Sequence, residues 1–215
     1  MPRPARVSPD RILAAAALEF SERGYAGARV DRIARRARVN KAMLYYHFAS
    51  KQGLYRTLLR TTFIAIAAEL RAIADIGLTP AQSLDAAVAA LATFIEAHAF
   101  FPSIMLREVA DGGAHLDPET LGALAAVPQA FAGVLQPGID AGVFRRMHPL
   151  AAYVTTIAPI LMFVASTPVR TRLSSGRPGA PPASPLTRDL FLADLTRSLQ
   201  RAFASTPHAL DTNHD

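Results

Sequence analysis

Apolar residues recur along most of this chain at steps of three and four, the period of an amphipathic helix; the strict alternation of a half-buried strand is nearly absent. A first helix is predicted from about Ser8 to Arg23. Ile12, Leu13, Ala16, Ala17 and Phe20 form its apolar face, Ser8 is the N-cap, Pro9 suits the first turn and Gly24 the stop. A short helix follows over Val30–Arg38, with Val30, Ile33, Ala34 and Ala37 at helical spacing. Asn40 then caps a second short helix, Lys41–Phe48. Ser50 caps a long one, Lys51–Asp75, whose Leu54, Leu58, Leu59, Phe63, Ile66, Leu70 and Ile73 face inward, and Gly77 and Pro80 punctuate its end.

Beyond Pro80 the pattern predicts helices to about His98, over Pro102–Asp111, over Pro118–Ala141, from Pro149 to Ser166, and over Pro185–Phe203. Pro128 and Pro137 are placed to kink the third of these. Arg170–Pro185, rich in Pro, Gly and Ser, reads as a flexible loop, and 206–215 as a disordered tail. The expected fold is therefore all-α, with about nine helices. Leu150–Val169 holds no charge over a length that would span a bilayer. It also contains Pro159, Thr155, Thr156, Ser166 and Thr167, a composition shared by buried helices at subunit interfaces, so a buried or interface helix is expected and no membrane partner.

Charge changes the picture more than composition does. Residues 1–60 carry 13 Lys/Arg against 4 Asp/Glu, whereas residues 61–215 carry 10 against 13. A basic head on a mildly acidic body points to a polyanionic partner for the head. The chain has no cysteine, which excludes disulfides, thiolate catalysis and thiolate-bound zinc. The N-terminal residues lack the apolar run of a signal peptide, so a cytoplasmic location is expected. No Gly-rich phosphate loop, nucleophile elbow or zinc-protease motif appears, so an enzyme is not expected and no cofactor is implied. His98, His115, Glu108 and Asp117 have no spacing that defines a metal site, and none is assigned.

The informative stretch runs from Val30 to Lys51: two short helices joined by a tight turn. The second helix presents Leu44 and Phe48 inward and Lys41, Ala42, Met43, Tyr45, Tyr46 and His47 on its other face, a shape that fits a major groove. Lys41 and Lys51, the only lysines in the chain, stand at its two ends where they can meet phosphates. The ordered set Ile33-Ala34, Ala37-Arg38-Val39-Asn40, Leu44-Tyr45-Tyr46-His47-Phe48 and Lys51, with Phe20–Tyr25 upstream and Gly53-Leu54-Tyr55 downstream, resembles the tetracycline-repressor (TetR) family of regulators. The likeness is tight over residues 8–60; beyond them only helical layout and length are similar. Two positions depart from it. Arg38 replaces the turn glycine, at a cost of about 1 kcal/mol if the turn is left-handed. Ala28-Arg29 stand where the family carries a threonine that often touches phosphate, and Arg29 is the electrostatic substitute.

The resemblance implies a helix-turn-helix DNA-binding domain (1–52) and a helical ligand-binding and dimerisation domain (53–205). It implies a homodimer that binds a palindromic double-stranded operator and is released by a small lipophilic effector. Its DNA-binding residues would be Arg29, Asn40, Lys41, Ala42, Met43, Tyr45, Tyr46, His47 and Lys51. Phe63, Ile66, Phe94, His98, Phe101, Met105 and Phe131, together with Phe100, are candidates for an effector pocket. Tyr153, Ile157, Ile160, Leu161, Val164, Leu190, Leu195 and Leu199, on the last two helices, are candidates for the dimer interface. A DNA-binding protein whose body serves only dimerisation is the alternative that sequence leaves open.

Overall fold

A computed structural model describes residues 8–175 and 186–205. Among them are ten helices and no strand: α1 (Pro9–Gly27), α2 (Val30–Arg36), α3 (Lys41–Phe48), α4 (Lys51–Ala74), α5 (Pro80–Ala97), α6 (Phe101–Ala110), α7 (Pro118–Asp140), α8 (Pro149–Ala165), α9 (Thr167–Ser175) and α10 (Arg188–Phe203). The expected caps form. Ser8, Asn40 and Ser50 each accept a backbone N–H of their own first turn, and Thr79 and Gln82 make a reciprocal capping box at the head of α5. Within α1, Gly24 takes φ +68° and breaks the helical path, so the regular part stops where the glycine predicted.

One continuous hydrophobic cluster runs from head to body. In the head it gathers Ile12, Ala16 and Phe20 of α1, Ile33 of α2, Ala37 beyond it, and Leu44 and Phe48 of α3, all buried. The long α4 leaves this cluster and packs along α7, the most extensive helix pairing in the molecule, with α5 and α8 completing the body. α10 lies against α5, where Arg188 reaches Glu96 (2.8 Å) and Gln200 reaches Asp85 (2.6 Å). Its end is stitched to the α7–α8 link by Arg145 N–H to the Phe203 carbonyl and Ser205 N–H to the Val143 carbonyl.

The stretch expected to be loop from Arg170 begins instead as helix α9. Pro168 has no N–H to continue the α8 ladder, and the chain bends by 56° between α8 and α9. Arg170 braces the bend: its guanidinium donates to Ser166 Oγ and the Phe163 carbonyl and lies 4.0 Å over the Phe163 ring. The uncharged run Leu150–Val169 is thereby divided, and no single helix among the described residues is long and apolar enough to cross a membrane. The remainder of the predicted loop (176–185) and the tail (206–215) lie outside the described residues.

Candidate nucleic-acid interface

The turn between α2 and α3 fixes how α3 is presented. Val39 N–H donates to the Ala34 carbonyl and Arg38 N–H to the Arg35 carbonyl, the double bond pattern of a Schellman stop, which requires a left-handed residue between them. That residue is Arg38, at φ +52°. The turn is therefore left-handed, with its strain, in the absence of glycine. Asn40 follows and spends its Oδ1 on Met43 N–H (2.7 Å). Leu44 and Phe48 are then driven into the head core. This leaves Lys41, Ala42 and Tyr45 exposed, Met43 and His47 partly so, and Tyr46 projecting at 81% exposure.

At the head of α2, where the family threonine is missing, no side chain of the N-cap residue itself caps the helix. A buried carboxylate replaces it: Glu19 Oε1 accepts Arg29 N–H (3.2 Å) and lies 3.0 Å from Arg32 Nε. A buried carboxylate needs such partners, and here it anchors α2 on α1. Arg36 adds a two-pronged pair with Glu22 (3.0 Å each) between the same helices.

The two lysines behave differently from the sequence expectation. Lys51 turns inward: its Nζ donates to the carbonyls of Ala28 (3.1 Å) and Ala26 (3.4 Å) and sits 4.6 Å over the Tyr25 ring. It thus closes the C-terminal end of α1, where a cation meets exposed carbonyls, and its donors are largely committed before any phosphate arrives. Lys41 pairs with Asp31 at 2.9 Å. That pairing holds the Asp31 carboxyl below its usual range and raises the lysine, through the hydrogen bond first and the charge second. Among the described residues, no ion pair or hydrogen bond engages the guanidinium groups of Arg29, Arg35 or Arg38, all exposed around the two short helices. Sequence reasoning selected Arg29 but missed Arg35 and Arg38. Arg29 and Arg35 lie within the field of Asp31, which takes Lys41 as its direct partner.

Phe63, Ile66, Phe94, Phe101, Met105 and Phe131 are buried in the body and pack as core, Phe63 edge-on to Phe101 at 5.9 Å. His98 is only partly buried and leans on one of them, its Nδ1 on the Phe94 carbonyl (2.8 Å) and its ring stacked on Phe94. With Phe100 it borders a cleft of about 270 Å³ between α1 and α4, which Leu13, Ala17, Leu58 and Thr62 also line. A second cleft, of about 310 Å³, lies between the end of α1 and α6, by Tyr25, Tyr55, Arg107 and Glu108.

On the last helices the interface candidates divide between buried and open positions. Tyr153, Ile157 and Ile160 point into their own protomer, as does Leu199 of α10, because α8 must cover α7. The apolar side left to solvent is Leu150, Val154 (48% exposed) and Met162 (53%), flanked by the half-buried Leu161 and Val164. On α10, Leu190 is exposed and Leu195 half-buried.

Residues 12–58 match the family described as bacterial regulatory proteins, tetR family. The HTH-type transcriptional repressor NicS of Pseudomonas putida is 33% identical over 134 residues, 62% of each chain. IcaR of Staphylococcus aureus, the negative transcriptional regulator of the biofilm operon icaADBC, is 43% identical over 54 residues, 25% of this chain and 29% of IcaR. The matches thus span less than two thirds of either relative. Among solved structures, the TetR family regulator PfmR from Thermus thermophilus superposes with a TM-score of 0.60 at 24% identity, covering 89% of this chain and 96% of PfmR. The fatty acid degradation regulator FadR from Bacillus halodurans gives 0.67 at 16% identity, covering 90% and 98%. These likenesses establish the fold: a helix-turn-helix head on an all-helical body.

Proposed function

From a chain whose head is the N-terminal domain of the tetR family, we infer a sequence-specific DNA-binding transcriptional regulator, not an enzyme, that acts as a cytoplasmic homodimeric repressor. The observation that carries this reading is the presentation of α3. Its two core residues lock it to α1 and α2, while Lys41, Ala42, Met43, Tyr45 and Tyr46 stay outward, beside three unengaged arginines. A helix so held fits a major groove, with the tyrosine hydroxyls and guanidinium groups meeting phosphates.

Eight residues of recognition helix contact few base pairs, so selectivity calls for two copies on a palindromic operator. The exposed apolar side of α8 with Leu190 and Leu195 of α10 supports a two-fold interface there, since exposed apolar surface of this kind is stabilised by burial. Residues up to 52 then form the DNA-binding part and 53–205 the effector and dimerisation part. A small lipophilic effector in the body, biasing α4 and with it α3, completes the reading; the apolar body and the run of α4 from head to body support it. The test is a gel-shift titration with DNA upstream of the chain's own gene, with and without excess unrelated DNA. Binding that survives competitor is expected; binding abolished by competitor would reduce the head to a basic patch.

A further inference from the structure

Arg38 holds a conformation that glycine would adopt without strain, and the Schellman bonds around it leave the backbone no other choice. Strain of this kind is held in place by the surrounding structure, as it is at Ala49 (φ +59°), and it clusters at functional sites; unlike the alanine methyl, the Arg38 side chain carries a charge with work to do there. Arg38 does nothing inside the protomer: it is exposed, and among the described residues its guanidinium meets no acid and no carbonyl. Its neighbours show the contrast. Arg32 is spent on Glu19, Arg36 on Glu22 and Lys41 on Asp31. At the entrance to α3, the free cation is therefore Arg38 rather than Lys41.

We propose that Arg38 is a phosphate-binding residue, whose guanidinium clasps the DNA backbone beside the groove that α3 enters, and that the strained turn is retained for this contact. The proposal rests on the DNA-binding reading above. It assigns to the turn a contact that positions α3 without reading bases, as charge-assisted bonds to phosphate do. The planar, permanently charged fork suits a phosphate, and the left-handed backbone throws it outward from the head core.

Arg38→Gly should separate stability from binding. Relief of strain raises Tm, by about 2–4 °C for a chain of this size. Loss of one phosphate contact per recognition helix lowers the steepness of the log affinity against log salt plot by about 0.9 per protomer, or about eightfold weaker binding per protomer at 0.1 M salt relative to 1 M. Because such a contact is blind to sequence, a fluorescein-labelled random duplex serves as the probe, read by anisotropy across a salt series. Arg38→Gln keeps the strained backbone and loses the charge, so it should lose the same slope without the gain in Tm. Arg38→Lys should keep most of the slope. A wild-type slope in both Arg38→Gly and Arg38→Gln, beside a steep wild-type dependence, overturns the proposal and leaves the DNA-binding reading standing. A wild-type protein whose affinity for the duplex is independent of salt overturns both. An unchanged Tm in Arg38→Gly overturns the claim that strain is exchanged for contact.

Discussion

Tyr55→Phe tests how α4 is fastened to α6 next to the head. Tyr55 lies on α4 and Glu108 on α6, both buried, and the phenol donates to Glu108 Oε2 at 2.7 Å. The carboxylate's other partners come from the α6–α7 link: His115 N–H to Oε1 (2.9 Å) and His115 Nδ1 beside Oε2 (3.0 Å). Burial first, and the bond to Glu108 second, push the phenol well above its usual pKa, so it remains a donor throughout the physiological range. Around it the rings of Phe20 (4.9 Å), Tyr25 (5.0 Å) and His115 (5.8 Å) pack edge-on, and Tyr25 in turn lies tilted against His115 (4.1 Å) and carries Lys51. Phenylalanine keeps every ring contact and removes one donor from a buried carboxylate. A hydrogen bond to a charged group contributes about 1.5–3 kcal/mol. At about 2–4 °C per kcal/mol for a domain of this length, Tm should fall by roughly 3–12 °C. Thermal unfolding followed by far-ultraviolet circular dichroism reads this, and urea titration should show an unchanged m-value. The double cycle with Glu108→Gln should give a coupling of about 1 kcal/mol or more. A Tyr55→Phe protein melting with the wild type, and a cycle that closes to zero, would refute the reasoning.

The remaining predictions concern the interface, a close approach and alkaline pH. Val154→Glu places a charge on the outer side of α8 and should yield folded monomers in sedimentation, whereas Ile157→Glu, at 5% exposure, should unfold the protomer; a dimeric Val154→Glu protein would remove that side from the interface. Gly53→Ala brings a Cβ to 2.3 Å from the Phe48 carbonyl, which no rotamer change relieves. It should cost roughly 1–3 kcal/mol and displace the end of α3, so Tm and DNA affinity both fall; wild-type values in both would show that the backbone adjusts freely. Burial raises the phenol pKa values of Tyr55 and Tyr153 above the ordinary value near 10. The fold therefore prefers their neutral form: their contribution is complete below about pH 10 and is lost as pH rises above it, where the unfolded chain ionises. Phenolate absorbance from these two residues should grow in only with loss of helical dichroism; ionisation of all five tyrosines in the folded protein would contradict this.

Much of the fold was written in local chemistry. Ser8, Asn40, Ser50 and the Pro9, Pro118 and Pro149 starts decide helix ends through bonds within one turn, so they were legible residue by residue. Leu44 and Phe48 declared the inner side of α3 by a four-residue spacing that needs no knowledge of what they pack against. α9 was missed because its composition is that of a loop, and its helix starts where Pro168 ends another and Arg170 folds back on Phe163.

What the sequence by itself determined is the order of elements, the inner side of the short recognition helix and the basic character of the head, since each depends on neighbours within a few residues. Only the tertiary structure decided which charges remain free and which apolar sides remain open. Lys51 is claimed by the end of α1, Lys41 by Asp31, and Tyr153, Ile157 and Ile160 by the packing of α8 on α7. A uniformly apolar helix such as α8 carries no stripe to say which way it turns, and a cation carries no mark of the carboxylate that folding will bring to it.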